Sequence, residues 1–134
     1  MHILSLGGGG FIGSHLTTAL LERGHRMTVI ARDGDKLDHD TDADGLRFVQ
    51  ADIRSLQNGL EDHIETCDLV IDLIAYANPG FYVQRPLDVF ELNFQENLRI
   101  AQSCVRRDKR LIQFSSCEVY GKTPAAIYPD KVVD

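Results

Sequence analysis

The chain has 134 residues, a formal net charge of -6, 43% hydrophobic and 25% charged residues, the proportions of an ordinary globular protein with one core. That acidic balance, with a pI near 5.3, speaks against nucleic acid, because phosphate binding needs clustered cations; Arg106-Arg107 and Lys109-Arg110 read as the solvated end of a helix. No run approaches the roughly 20 apolar residues of a membrane span, no signal-peptide pattern precedes the first strand, and Cys67, Cys104 and Cys117 have neither disulfide nor zinc-ligand spacing, so a cytoplasmic protein without nucleic-acid, membrane or metal partners is expected.

"HILSL" (2–6) suits a short buried strand and runs directly into "GGGGFIGSHL". Gly8, Gly10 and Gly13 fit G-x-G-x-x-G; Gly7, Gly10 and Gly13 fit G-x-x-G-x-x-G. Residues 11–23 place Ile12, Leu16, Ala19, Leu20 and Arg23 at helical spacing, and Gly24 offers a stop. A glycine loop between a strand and a helix has a specific chemistry. The helix N-terminus presents unpaired N–H groups and the positive end of its dipole, and glycine lets a diphosphate come close. A triphosphate loop would need Gly-Lys-Ser/Thr, but Ser14 and His15 follow Gly13.

"RMTVIA" (26–31) reads as the second strand. A ribose-reading residue belongs about 20 positions past the loop, near Arg32 and Asp33. An acid there accepts the 2′-hydroxyl of NAD, whereas a cation suits the 2′-phosphate of NADP. With Arg32, Asp33 and Lys36 all present, the cofactor is NAD or NADP according to which side chain points inward. The stretch 33–45 holds six aspartates, and Asp40, Asp42, Asp44 and Gly45 match the opening of a calcium loop. Its twelfth position is Ala51 rather than Glu, so a solvated acidic loop is expected and no metal site.

"LRFVQA" (46–51) reads as the third strand, and Asp52 after it either accepts from an adenine amino group or caps a helix over 55–62. "DLVIDLIAYA" (68–77) is the fourth strand. Residues 86–108 form one long helix whose apolar stripe is Leu87, Phe90, Phe94, Leu98, Ala101 and Val105. "RLIQFSS" (110–116) is the fifth strand. Apolar strands alternating with helices predict an α/β, doubly wound, Rossmann-like parallel sheet of order 3-2-1-4-5. The glycine loop, "YAN" and "SSCEVYG" then all fall on its ligand-binding edge.

With these pieces placed, essentially the whole chain resembles the N-terminal portion of the extended short-chain dehydrogenases, the NAD-dependent epimerase/dehydratase enzymes acting on sugar nucleotides. "GGGGFIGSHL" is similar to their Gly-x-x-Gly-x-x-Gly loop, which selects Gly7, Gly10 and Gly13 and makes Gly8 and Gly9 spacers that tolerate small residues. "DLVIDLIAYA", "ELNFQENL" and "FSSCEVYG" resemble the strand before the nicotinamide, the asparagine-bearing helix and the catalytic-serine strand. The resemblance implies cofactor contacts from Gly7, Gly10, Phe11, Ile12 and Gly13, from Arg32, Asp33, Asp52 and Ile53, and from Leu73, Ala75 and Asn93. It also implies a catalytic Ser116 on the sugar 4-hydroxyl and a Tyr82 near nicotinamide and substrate.

Within the family, residues 85–121 are similar to the UDP-glucuronic acid decarboxylases of bacterial polymyxin resistance. Those enzymes pass a hydride from sugar C4 to the nicotinamide, and the ketone then permits decarboxylation. Glu118 matches the glutamate that assists proton transfer there. Cys117 stands where they have serine, and Arg32 where they have a ribose-binding aspartate. The family's base is a tyrosine four residues before a lysine on one helix face. No tyrosine qualifies: Gly80, Pro86, Pro124 and Val132 follow Tyr76, Tyr82, Tyr120 and Tyr128 at that distance, and Tyr128 and Lys131 are only three apart. The expectation is therefore that residues 1–134 are the dinucleotide-binding part of a longer, homo-oligomeric enzyme acting on a UDP-sugar, inactive alone. The alternative is a non-catalytic NADP-binding redox sensor.

Overall fold

A computed structural model describes residues 1–37, 45–56 and 59–121, apart from the side chain of Glu118. Strands β1 (His2–Leu6), β2 (Arg26–Ala31), β3 (Leu46–Gln50), β4 (Leu69–Asp72) and β5 (Arg110–Gln113) pair in parallel in the order β3-β2-β1-β4-β5. Alternate side chains along each strand serve opposite faces. Ile3, Met27, Val29, Leu69 and Ile71 pack with Leu16, Leu20 and Leu21 of α1 (Phe11–Glu22). Leu4, Leu6, Ile30 and Val70 pack with Leu60 and Ile64 of α2 (Gly59–Thr66) and Ile100 and Cys104 of α5 (Asn97–Arg106). The sheet is thus covered on both faces, as its near-continuous apolar strands require. Leu6 pairs with Ile30 on one side and Asp72 on the other, so three strands end together. The strand order reverses between β1 and β4, which makes that edge the switch point of the fold.

Several boundaries differ from those read off the sequence. The fourth strand ends at Asp72, not at 77, because Asp72 Oδ1 accepts the Ile74 N–H at 3.0 Å and turns the chain. The third and fifth strands stop at Gln50 and Gln113. The helix expected over 55–62 begins at Gly59 and reaches Thr66, and Asp52 caps only a 3-10 turn, Ile53–Ser55. An unforeseen helix α3 (Pro79–Gln84) starts with Asn78 Oδ1 accepting the Gly80 N–H at 2.9 Å. The helix expected over 86–108 runs as α4 (Pro86–Phe90), a π-helical segment (Glu91–Glu96) and α5. It closes at Asp108, whose φ of 51° places it in the left-handed region while Lys109 N–H bonds the Cys104 carbonyl.

The orientation of that helix corrects the sequence reading. Leu87, Phe90, Phe94, Leu98 and Val105 are exposed, Val105 by 81%. Leu92, Ile100, Ser103 and Cys104 are buried instead. The inward face runs through Asn93, Asn97, Ile100 and Cys104, at spacings of four, three and four. Its first two members are polar because they bond backbone groups of the segment after β4. A hydrophobicity pattern cannot register a face whose contacts are partly amide hydrogen bonds. The motif residues Asp40, Asp42 and Asp44 lie outside the described residues. Among the described residues no helix is long and apolar enough to cross a membrane, and no three metal-ligating side chains cluster.

This orientation sets a test by denaturant unfolding. Ile100→Ala should lower stability by about 2–5 kcal/mol, while Val105→Ser, on the face first read as inward, should change it by no more than about 0.5 kcal/mol.

Candidate functional site

The turn out of β1 begins at Gly7, whose φ of +77° lies in the left-handed region and whose N–H bonds the Ile30 carbonyl at 2.8 Å. Gly10 N–H bonds the Gly7 carbonyl at 3.0 Å, and Ser14 N–H bonds the Gly10 carbonyl at 2.9 Å, which opens α1. A β-carbon on Gly13 would sit 2.5 Å from Gly8 Cα, so α1 can lie on the loop only without one. A β-carbon on Gly8 would come within 2.7 Å of Ser5 Oγ and 2.8 Å of Val29 Cγ1. One on Gly9 would overlap the Asp33 carbonyl oxygen. Gly8 and Gly9 are therefore not spacers open to small residues, contrary to the sequence reading; both are wedged between strands β1 and β2. Gly10 is different. It is exposed, with φ −72°, and its β-carbon would meet only the Gly7 carbonyl, at 3.3 Å. The protein's own packing barely demands a glycine there, so the clear space at the helix N-terminus is left for something external.

Above this loop lies a cavity of about 220 Å³. Gly7, Gly9 and Gly10 form its floor, and Ala31, Arg32, Asp33 and Lys36 form the wall from β2. Ala51 and Ile53 border it after β3, and Leu73, Ile74 and Ala75 after β4, with Leu92 beyond. Of the residues expected at a cofactor, Gly7, Gly10, Arg32, Asp33, Ile53, Leu73 and Ala75 are thus brought together. Phe11 and Ile12 are exposed at the start of α1, where the first-turn N–H groups have no partners within the helix. Together with the gap at Gly10, these donors fit a diphosphate.

Two expected contacts have other occupations. Asp52 accepts from the Arg54 backbone and pairs bidentately with its guanidinium, at 3.0 and 2.8 Å. Those bonds hold its carboxyl down at about 2. Of its two readings, the cap is what its oxygens make, and only its neighbours Ala51 and Ile53 line the cavity. Asn93 accepts the Tyr76 N–H at 2.7 Å and donates to the Tyr76 carbonyl at 3.0 Å, so its amide holds the cavity wall rather than forming it. Asn97 donates to the Ile74 carbonyl at 3.3 Å. Arg99 donates to the Ile53 carbonyl at 2.9 Å while pairing with Glu96.

Sequence reasoning missed Asn97, Arg99 and Asp72. The first has a signal, an asparagine four residues after Asn93. The last has a stronger one, an acid inside an apolar run. Asp72 is fully buried at the sheet edge, and burial raises its carboxyl to about 6 against the pull of the Ile74 N–H and the Gln113 side chain. Tyr82 lies on α3, and Ser116 follows β5 in an exposed stretch; neither lines the cavity. Glu118 has its backbone in the turn Cys117–Tyr120, with its side chain outside the described residues, as are Tyr128 and Lys131.

The sequence profile of the NAD dependent epimerase/dehydratase family matches residues 3–133. Among solved structures, the PbgP3 protein from Burkholderia pseudomallei is similar at 37% identity and TM-score 0.83, over 90% of this chain and 36% of that one. The UDP-N-acetylglucosamine 4-epimerase from Methanobrevibacter ruminantium M1, solved with UDP-N-acetylmuramic acid, is similar at 27% identity and TM-score 0.81, over 92% and 40%. MoeE5, solved with UDP-glucuronic acid and NAD, is similar at 27% identity and TM-score 0.78, over 92% and 39%. The chain thus spans 36% to 40% of the length of these proteins.

The site's sterics and its buried acid are separately testable. Gly9→Ala should cost about 2 kcal/mol of stability or more through overpacking, whereas Gly10→Ala should stay within about 1 kcal/mol of the parent. Asp72 binds its proton more tightly folded than unfolded, so it subtracts stability as pH rises from about 4 to about 6. Asp72→Asn should therefore match the parent near pH 4 and exceed it by about 2 kcal/mol at pH 7.5, read by denaturant titration at each pH.

Proposed function

The chain belongs to the NAD dependent epimerase/dehydratase family, and on that premise we propose that it is the cofactor-binding portion of an NAD(P)-dependent enzyme that oxidises a UDP-sugar. The observation that carries this reading is the cradle at Gly10, an exposed glycine at a helix N-terminus that the protein's own packing hardly requires, set beside a cavity at the switch point of the sheet. The N–H groups of the first turn of α1 would hold a diphosphate there. Leu73, Ile74 and Ala75 offer an apolar wall, and Asn93 and Asn97 fix it in place. A bound nicotinamide dinucleotide supplies the hydride acceptor that oxidation of a sugar carbinol needs. Ser116 would steady the C4 hydroxyl by a hydrogen bond and Glu118 would assist proton transfer, in keeping with the "SSCEVYG" stretch that carries both. Cys67, Cys104 and Cys117 are all free thiols, in keeping with a cytoplasmic enzyme.

The finer reading is oxidative decarboxylation of UDP-glucuronic acid. It is supported by the residue pattern over 85–121 and by the likeness to MoeE5, which was solved with that sugar nucleotide. A ketone at C4 stands β to the C6 carboxylate. The C5–C6 bond can then break with its electron pair passing to the ketone oxygen, and carbon dioxide leaves.

The test uses the full-length protein with dinucleotide and, in parallel, UDP-glucuronic acid, UDP-glucose and UDP-N-acetylglucosamine. Expected are reduced nicotinamide, by absorbance, and a UDP-4-keto-pentose by mass spectrometry from the first substrate only. Ser116→Ala should lower kcat by about 100-fold, and Gly10→Ala should weaken dinucleotide binding at least about tenfold while stability stays within about 1 kcal/mol of the parent. Oxidation without loss of carbon dioxide would overturn decarboxylation alone. Absence of dinucleotide binding would overturn the whole reading.

A further inference from the structure

We propose that this site selects the 2′-phosphorylated dinucleotide, NADP(H), over NAD(H), and that Arg32 and Lys36 hold the 2′-phosphate; the proposal rests on the dinucleotide reading above. The first observation is what ends β2. Its last residue, Ala31, lines the cavity with only a methyl group. A site that reads a free ribose 2′-hydroxyl needs an acceptor carboxylate at this strand end. The two side chains that extend the wall from there, Arg32 and Lys36, are both cationic.

Asp33 is the one acid in that wall, and one of its carboxylate oxygens is engaged within its own turn. Its Oδ1 accepts the Asp35 N–H at 3.4 Å, within its own turn, and its carbonyl oxygen lies against Gly9. Asp52, between the lining residues Ala51 and Ile53, has both oxygens on Arg54. Among the described residues neither Arg32 nor Lys36 has a carboxylate within 4.0 Å. Two cations without carboxylate partners beside an anion cradle would repel each other less with a dianion between them.

Arg32 is also held in place. Gln50 of β3 donates to the Arg32 carbonyl at 3.0 Å, and the guanidinium lies over the Tyr76 ring, 5.8 Å from its centroid. A cation–π contact of this kind uses no N–H donor of the guanidinium, and those donors can make a planar, bidentate match to a phosphate that lysine cannot. Tyr76 is itself fixed at both backbone polar groups by Asn93. The arginine therefore meets its ligand from a surface that is already ordered, which limits the entropy lost on binding.

The test measures dissociation constants of the full-length protein for NADP, NAD and 2′,5′-ADP by calorimetry, for the parent, Arg32→Ala, Arg32→Lys and Lys36→Ala. The parent should bind NADP at least about tenfold more tightly than NAD, with the steeper loss of affinity as salt is raised. Arg32→Ala should cut the ratio of NADP to NAD affinity by about 10- to 100-fold, and Arg32→Lys should restore only part of it. Lys36→Ala should cut it by a smaller factor. Tight NAD binding with no preference for NADP, or a ratio unmoved in Arg32→Ala, overturns this proposal and leaves the dinucleotide reading standing. Failure to bind any of the three ligands overturns both.

Discussion

The close approach of α1 to the end of β1 is the constraint on which the rest of this structure depends. Gly13 touches Gly8, Gly8 touches Ser5 and Val29, and Gly9 touches the carbonyl of Asp33. Three separate contacts have no room for a β-carbon, and each joins the glycine loop to a different neighbour. The last matters most for the site, because it seats the segment after β2 directly on the loop. The position of Arg32 and Lys36 relative to the anion cradle is therefore set by backbone sterics, which are stiffer than any side-chain contact. Gly10 alone among these residues is free of the demand, and it is the one that faces outward.

The other walls are positioned by one helix. Asn93 and Asn97 reach from the π-helical segment and the start of α5 to the chain after β4, and Arg99 reaches to the chain after β3. A straight α-helix repeats every 3.6 residues, and a π-helical turn shifts the faces that follow it. The shift falls between Phe90 and Asn97, just where the inward face changes from amides bonding loops to Ile100 and Cys104 filling the core. Local backbone irregularity and the change in what that face does coincide.

How much of this was legible in the sequence follows from what sequence patterns can encode. The five strands were legible because each is an apolar run long enough to be buried, and their order followed from the handedness of crossovers. The ends of β4 and β5 were not, because "DLVIDLIAYA" stays apolar past the point where Asp72 takes a backbone N–H and turns the chain. The helix face was misread because its inward residues are half polar, and the outward stripe Leu87, Phe90, Phe94 and Leu98 mimicked a core. The glycine loop was recognised as a cradle, yet the reasons for Gly8 and Gly9 lie in Ser5, Val29 and Asp33, which are neighbours only in space. Tyr82 and Ser116 could be named from their motif, but motif spacing carries no distance to the cavity.

The electrostatics of the site resolve an apparent conflict. A chain with a formal net charge of -6 is a poor host for a polyanion. Of the acids nearest the cradle, however, two are engaged by the protein's own groups and a third is buried. Asp52 is matched by a bidentate arginine, Asp33 turns into its own loop, and Asp72 is pushed toward its neutral form by burial. Facing the cavity are the positive end of α1, Arg32 and Lys36, against the single carboxylate of Asp33. Screening removes most of the effect of distant surface carboxylates at physiological salt, since the Debye length is about 8 Å. The local field at the loop is therefore set by these few groups, and a net negative protein presents a positive site where the sheet changes direction.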